Sequence, residues 1–397
     1  MRLLALPLSL AALVALPLAA TAQQGRPVPV FPYPYFALPA LSGAGFGSAL
    51  STPAPQAATG NPAALPGQSG VGLSLRASTT TKDEELVRTV EGAASDERYV
   101  SVLDPAVSRL PYEAGAAWAR GPLRVAVGYA RPLDGDRRAR SSKATPASTS
   151  ENVMSSRLET AGVSVAYAVA VAPGVRVTPG VRLGFAWVDN ENRLGTGGTF
   201  ATSYTERRTG SGATWTVGLL VEGEALPVRF GVAFAPRITL DGEETRRCTP
   251  SSASCGGPST VFKTRGSTPA RLDASVGAAQ GAWAADATLS RVFWQGDQDR
   301  ARTALRDAFE GSVNVHYALQ PGLSLALGLN QTARSPLEDS EGETFDVFDT
   351  YPTRFVLVGA TLTRGPIVLD AAYVNGSLLS DRGSRHHIGS LGVGYRF

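Results

Sequence analysis

From about residue 70 onward, large apolar side chains alternate with small or charged ones at period two. In "LSLALGLN", Leu323, Leu325, Leu327 and Leu329 take one face. In "VRVTPGVRLGFAW", Val175, Val177, Val181, Leu183, Phe185 and Trp187 do the same, against Arg176, Thr178, Gly180, Arg182 and Gly184. "VRFGVAFAPRITL" places Val228, Phe230, Val232, Phe234, Ile238 and Leu240 on one face, and Arg229, Gly231, Ala233 and Arg237 on the other. Period two predicts strands with one apolar face. Sandwich strands are short, typically ~5–6 residues. These segments run to about 10 or more, the length of a tilted membrane-crossing strand.

The connections alternate as well. Short turns are expected at Gly121-Pro122, Pro173-Gly174, Glu224-Ala225-Leu226, Gln280-Gly281, Pro321-Gly322 and Gly365-Pro366. Polar stretches near 81–99, 133–155, 190–208, 241–266, 297–305, 335–350 and 378–384 read as long loops. The segments between them number 14, an even count with short turns on one side and long loops on the other, as in outer-membrane barrels. "TKDEELVRTVEG" and "DRARTALRDAF" also carry helical spacing and read equally as helix or strand end. The chain ends "SLGVGYRF", with Leu391, Val393, Tyr395 and Phe397 on one face. Tyr395 and the terminal Phe397 resemble the signal that such barrels present to the barrel assembly machinery.

Composition sharpens this picture. Met1-Arg2, an apolar run from Leu3 to Leu18 and Ala20-Thr21-Ala22 have the three parts of a secretory signal peptide, residues 1–22. Loss of Arg2 leaves 36 Lys+Arg against 34 Asp+Glu, a balance that gives no reason to expect nucleic-acid binding. Only 18% of residues are charged, below the usual ~25%, and Gly occurs 43 times. For an exported, apolar, Gly-rich chain without spanning helices, the closed barrel is the one way left to cross a membrane. Cys248 and Cys255 are expected to close a small disulfide loop in an oxidising compartment, with no His near enough to suggest zinc.

Residues 23–68 precede the first strand and differ from everything after them. Between 25 and 60 they are Pro, Ala, Gly, Ser and aromatics with one charge, Arg26. A barrel of 14 strands is too wide for its own side chains to fill, and irregular backbone at membrane depth is tolerated only inside protein. The segment is therefore expected to fold into the lumen as a plug, with Asn61-Pro62 as the corner where plug becomes wall; Pro62 biases Asn61 to extended backbone.

The stretch "GAGFGSALSTPAPQAATGNPAALPG" resembles the start of the FadL-type outer-membrane transport proteins, whose N-terminal hatch ends in an Asn-Pro-Ala stretch before strand one. "VSVAYAVAVAPGVRVTPGVRLGF", "TPARLDASVGAAQGAWAADATLSRVFWQGD" and "GSVNVHYALQPGLSLALGLNQTARSP" are similar to later hairpins of that family. The related PorV-type barrels of protein secretion share the Asn-Pro-Ala corner, and "RPVPVFPYPYFALPALS" is more Pro-rich than the family's hatch. The resemblance implies an all-β, 14-stranded antiparallel transmembrane barrel (69–397) with a hatch inside it. It implies uptake of hydrophobic molecules such as long-chain fatty acids, past a hatch that shifts and out through the wall. A PorV-like structural or shuttle barrel and an open diffusion porin are the rival readings. Candidate path and hatch residues are Phe31, Tyr35, Phe36, Leu38, Leu41, Phe46, Asn61 and Pro62. Each is equally a packing residue of the plug. Arg124, Arg176, Arg182, Arg229, Arg271 and Arg354, with Asp273, Asp286 and Asp370, are expected to face the lumen. They either hold a substrate carboxylate or brace the wall and plug. His316 faces the lumen, and His386 and His387 face opposite sides. No base sits by an obvious nucleophile, so no enzyme, cofactor or metal is expected. Expected partners are outer-membrane lipid, a hydrophobic ligand and, during biogenesis, the assembly machinery.

Overall fold

The computed structural model describes residues 45–82, 86–88, 97–107, 112–142, 149–196, 202–223, 227–249, 259–293, 307–331, 354–376, 378–379 and 384–397, with two-residue strands at 28–29 and 41–42. The expected signal peptide, Phe31, Tyr35, Phe36, Leu38 and Cys255 lie outside them, as does the side chain of Cys248.

The wall is a closed antiparallel barrel of 14 strands. In chain order these are β1 (Gly70–Lys82), β2 (Glu97–Val107 and Glu113–Arg120), β3 (Leu123–Ser142), β4 (Thr149–Tyr167, continued by Val169–Ala172), β5 (Val175–Thr196), β6 (Thr202–Gly223) and β7 (Val228–Ala235 and Ile238–Thr249). Then follow β8 (Ser259–Thr268 and Ala270–Gln280), β9 (Trp283–Phe293), β10 (Ala308–Gln320), β11 (Leu323–Gln331), β12 (Arg354–Arg364), β13 (Ile367–Asn375) and β14 (Ser384–Arg396). The ring closes where β14 pairs with β1, from Arg396↔Gly70 to Ser384↔Lys82. The short turns at one end work because glycine takes positive φ there: Gly121 at 59° and Gly365 at 58° lead their turns, and Gly174 and Gly322 follow a proline.

The burial pattern is inverted relative to a water-soluble sheet. Leu183, Leu391, Val358, Phe230 and Leu327 are exposed on the outer face. Ala130, Ser164, Thr178, Ala186 and Asn314 are buried on the inner one. An apolar outside and a small or polar inside are what lipid around the barrel and protein within it require. Trp283 against Tyr317, with Tyr167, Tyr395 and Phe397, lies on the outer face toward the short-turn end. Phe185, Trp187 and Tyr129 lie on the outer face toward the other end. There Glu159 accepts from Tyr129 (2.8 Å) and Trp187 and pairs with Arg131 at 2.8 Å, so polar groups enter the outer face at that level.

Three expectations need correction. The polar stretches 133–155, 190–208 and 241–266 are largely strand rather than loop: β5 and β6 each run 22 residues, about 70 Å at ~3.3 Å per residue, well past a ~25 Å apolar band. Cross-strand ion pairs hold this collar, among them Arg207–Asp189 (2.7 Å), Arg265–Asp241 (2.6 Å) and Arg208–Glu244 (2.8 Å). The two candidate helices are strand at 81–82, 86–88 and 308–309, with no helix among their described residues. Leu240 faces inward, buried, and Ile238 packs beside it, whereas Phe230 and Val232 face out. Pro236-Arg237 interrupts β7 between them; proline offers no N–H to the ladder, and the parity changes across the break.

Candidate functional site: the occupied lumen

Residues 45–69 lie inside the barrel, against inward-facing wall positions. Their closest approaches fall on glycines. A Cβ on Gly115 would lie 1.9 Å from the Ala54 carbonyl oxygen, and one on Gly218 1.8 Å from Asn61 Oδ1. Gly128 meets the backbone of Ala57 and Ala58, Gly180 that of Pro62 and Ala63, and Gly231 that of Ala49. Gly72 meets the Pro55 ring, Gly277 meets Leu50, and Gly328 meets Phe46 and Asn314. Several are direct cross-strand partners, as in Gly72↔Gly115↔Gly128 and Gly180↔Gly218. Glycine without a side chain lets two backbones touch, so these positions form a seat cut to the inner segment.

A segment without regular structure must find partners for its buried backbone groups. The wall supplies them. Asn314, fully buried, accepts from Phe46 N–H and donates to Phe46 C=O, both at 2.9 Å. Ser275 accepts from Ala49 N–H (2.9 Å) and Ser164 donates to Ala57 C=O (3.2 Å). Arg124 donates to Leu65 C=O at 2.7 Å and Arg182 to Gly60 C=O at 2.9 Å. Within the segment, Asn61 has φ −66° and ψ 117°, the extended backbone required before proline, and caps a short 3-10 turn at Pro62–Ala64. Its Oδ1 accepts from Ala63 N–H (3.0 Å), and its Nδ2 donates to the carbonyls of Ala49 (2.7 Å) and Leu219 (3.4 Å) on β6. Thr52 donates to the Asn61 carbonyl at 2.8 Å. One amide thus joins three stretches of chain. The expected corner is displaced: Asn61-Pro62 turns the chain inside the segment, and the wall begins only at Gly70.

The candidate charges divide by partner. Arg124 and Arg182 hold the inner segment, and Arg182 also donates to Thr216 at 2.6 Å. Arg271 braces the wall, pairing with Asp273 (2.8 Å) and Glu310 (2.6 Å). Asp286 accepts from Asn314 at 2.9 Å and lies 2.9 Å from His316 Nε2, so it orients the amide that grips Phe46. Arg176 and Arg229 are exposed on the inward parity near the short-turn end, and Asp370 lines a cavity there. Arg354 is a correction: it stands on the outward parity, exposed beside Gln331, because Phe355 and Leu357 take the inward positions of β12. Leu41 pairs with Phe46 in a two-residue ladder. Tyr395 and Phe397 are exposed on the outer face. His387 lies beside Tyr373 on that face, 2.7 Å between Nδ1 and the phenol oxygen.

No protein-family model and no curated protein matches the chain. Solved structures do. A Pseudomonas aeruginosa FadL homologue superposes with a TM-score of 0.60 over 91% of this chain and 99% of its own, at 13% identity. The Ralstonia pickettii toluene transporter TbuX gives 0.57 over 89% and 99% at 12% identity. The CymD monoaromatic hydrocarbon channel gives 0.54 over 86% and 93% at 16% identity. This chain has the FadL-type fold.

Within that fold the sequence reading missed the wall residues that grip the inner segment. Asn314, Ser275 and Ser164 are inward by parity, which marks them only as lumen-facing. Gly128, Gly218, Gly231, Gly277 and Gly328 suggest wall kinks in a sequence, whereas here each faces the inner segment. Gly184 differs, packing on the backbone of Ala161 and Gly162. Among the described residues no group of His, Cys, Asp and Glu has the geometry of a metal site.

Proposed function

We propose that this protein is an outer-membrane channel for the passive uptake of hydrophobic small molecules, with residues 23–68 as its hatch and the short-turn end facing the periplasm. The observation that carries this reading is the filled lumen. An apolar segment, seated on wall glycines, occupies it, and large apolar side chains face the interior beside it: Leu158, Val188 and Leu240 on one side, Phe355, Leu357 and Val374 on the other. A hydrophobic solute crosses a sugar-coated leaflet poorly and gains from such a path. The sequence resemblance favours long-chain fatty acids as solutes; the names of the structural neighbours favour monoaromatic hydrocarbons. A route out through the wall is the one the resemblance implies. The occupied lumen weighs against an open diffusion pore. The test is uptake of labelled oleate and labelled toluene by a Gram-negative host stripped of its own hydrophobic-compound channels. Accelerated uptake of either supports the reading. Uptake of neither, with a secreted protein co-purifying instead, moves the assignment to a shuttle barrel.

A further inference from the structure

The seat of the inner segment is lopsided. Most of the wall from β1 to β8, and again β10 and β11, meets it through glycines and hydrogen-bonding side chains. The register row that runs through Asn314 and Gly328 then continues as Leu357, Val374 and Ile388 on β12, β13 and β14. With Phe355 and Ala372 these close around Phe46 in one buried apolar cluster. The backbone of Phe46 is held from β10, by Asn314, and just past β14 the Phe397 N–H donates to the Ser69 carbonyl at 3.1 Å.

Toward the short-turn end of the same sector the segment stands off the wall. A cavity of about 280 Å³ lies between Pro53–Gln56 and Pro66–Ser69 and the wall of β13 and β14, beside the contact of Pro55 with Gly72 on β1. Its lining is mostly carbon, from Pro55 and Val368 among others, with Ser390 on its wall. Ala372 of the Phe46 cluster and Ser390 of the cavity are direct cross-strand partners. Two small side chains therefore join cluster and cavity.

Building on the uptake reading, we infer that solute passes the hatch along β12–β14, with Phe46 as the gate side chain and the cavity beside it as the release-side site. The cavity sets the solute class. An apolar cavity of ~150 Å³ accommodates benzene, so this one suits a single ring or a short chain rather than an extended lipid. Glu113, Asp370 and Arg396 also contribute to its lining. This sector also differs from the rest of the seat in mechanics. A ring can swing about its side-chain bonds, whereas backbone pressed on glycine cannot move without the whole segment moving.

The test uses the full-length protein in the stripped host, with labelled toluene as probe. Phe46→Ala should raise its uptake severalfold. Ser390→Cys, in a Cys248→Ser, Cys255→Ser background, folds with a small side chain and is then capped with a bulky, reducible thiol reagent. Capping should lower uptake about tenfold, a barrier change near 1.4 kcal/mol, and reduction should restore it. Unchanged uptake in either variant, with the unmodified protein active, overturns the route while leaving the uptake reading intact. If the unmodified protein takes up neither toluene nor oleate, the uptake reading itself falls and this route falls with it.

Discussion

The two sides of the lumen use the same inward parity for opposite ends. On β2, β3, β5 and β6 the inward positions are Gly115, Gly128, Gly180 and Gly218, and the inner segment rests backbone to backbone on them. On β12, β13 and β14 the corresponding positions are Leu357, Val374 and Ile388, which surround the Phe46 ring in an apolar nest, with the Leu41–Ser42 backbone packed beside β13 and β14. A backbone seat with Asn61, Arg124 and Arg182 reaching into it fixes position, because each bond has one geometry. An apolar nest is non-directional and tolerates displacement. The contrast teaches that the inner segment meets one side backbone to backbone and the other through apolar side chains, so the first side should respond to substitution as a structural element and the second as the proposed gate.

The sharpest way to break this contrast is to fill the seat. Gly218→Val or Gly115→Val places carbon where Asn61 Oδ1 or the Ala54 carbonyl now sits. Overpacking typically costs 1–3 kcal/mol, about that much at each site, and here the segment can only relieve it by lifting. We expect ion conductance in planar bilayers where the unmodified protein has little, with the barrel still heat-modifiable on gels. Gly392, whose built Cβ finds nothing closer than 3.2 Å, is the matched control, and Gly392→Ala should conduct like the parent.

Next in size are the amides. Asn61→Leu removes the cap of Pro62–Ala64 and leaves the carbonyls of Ala49 and Leu219 without that donor. Each buried polar group left unpaired costs about 1–3 kcal/mol. Asn314→Leu strips both backbone partners from Phe46. Both variants should lower the temperature at which the inner segment becomes protease-sensitive, while the melting of the barrel itself shifts less. Equal shifts of segment and barrel would mean that the two unfold as one unit, and the division into anchor and gate would not stand.

How much of this was legible in the sequence follows the same division. Period two was readable wherever one face met lipid, as in Leu323–Leu329, and the strand count and short turns came from it. The collar was not, because Arg207, Asp189, Glu244 and Arg208 put polar groups on both faces and erase the alternation; what holds them is cross-strand pairing, which is invisible along the chain. The segment at 45–69 that occupies the lumen was visible as part of an apolar, irregular stretch beside strand one. Its seat was not. An inward glycine announces close approach without naming what approaches, and the partners of Gly218 and Gly231 lie more than 150 residues away. In "RFVLVG" both parities of β12 are apolar, so nothing in that stretch says that Phe355 turns in and Arg354 turns out.

That last ambiguity gives the mildest prediction. Arg182 and Arg354 look alike in the sequence, each an arginine in a strand rich in apolar residues. In the fold Arg182 is buried, spanning from the Gly60 carbonyl to Thr216 on β6. Arg354 stands exposed on the outer face with a 3.3 Å bond to Gln331. Replacing Arg182 with Met keeps much of its bulk and removes both bonds, so the loss should be about 1–3 kcal/mol for the stranded polar groups. Replacing Arg354 with Met removes one exposed bond and should stay within about 0.5 kcal/mol, as surface changes do. Urea titration of the two variants in the same detergent decides it. A comparable loss at both sites would mean that Arg354 has an inward partner after all, and the inward assignment of Phe355 and Leu357 would have to be reversed with it.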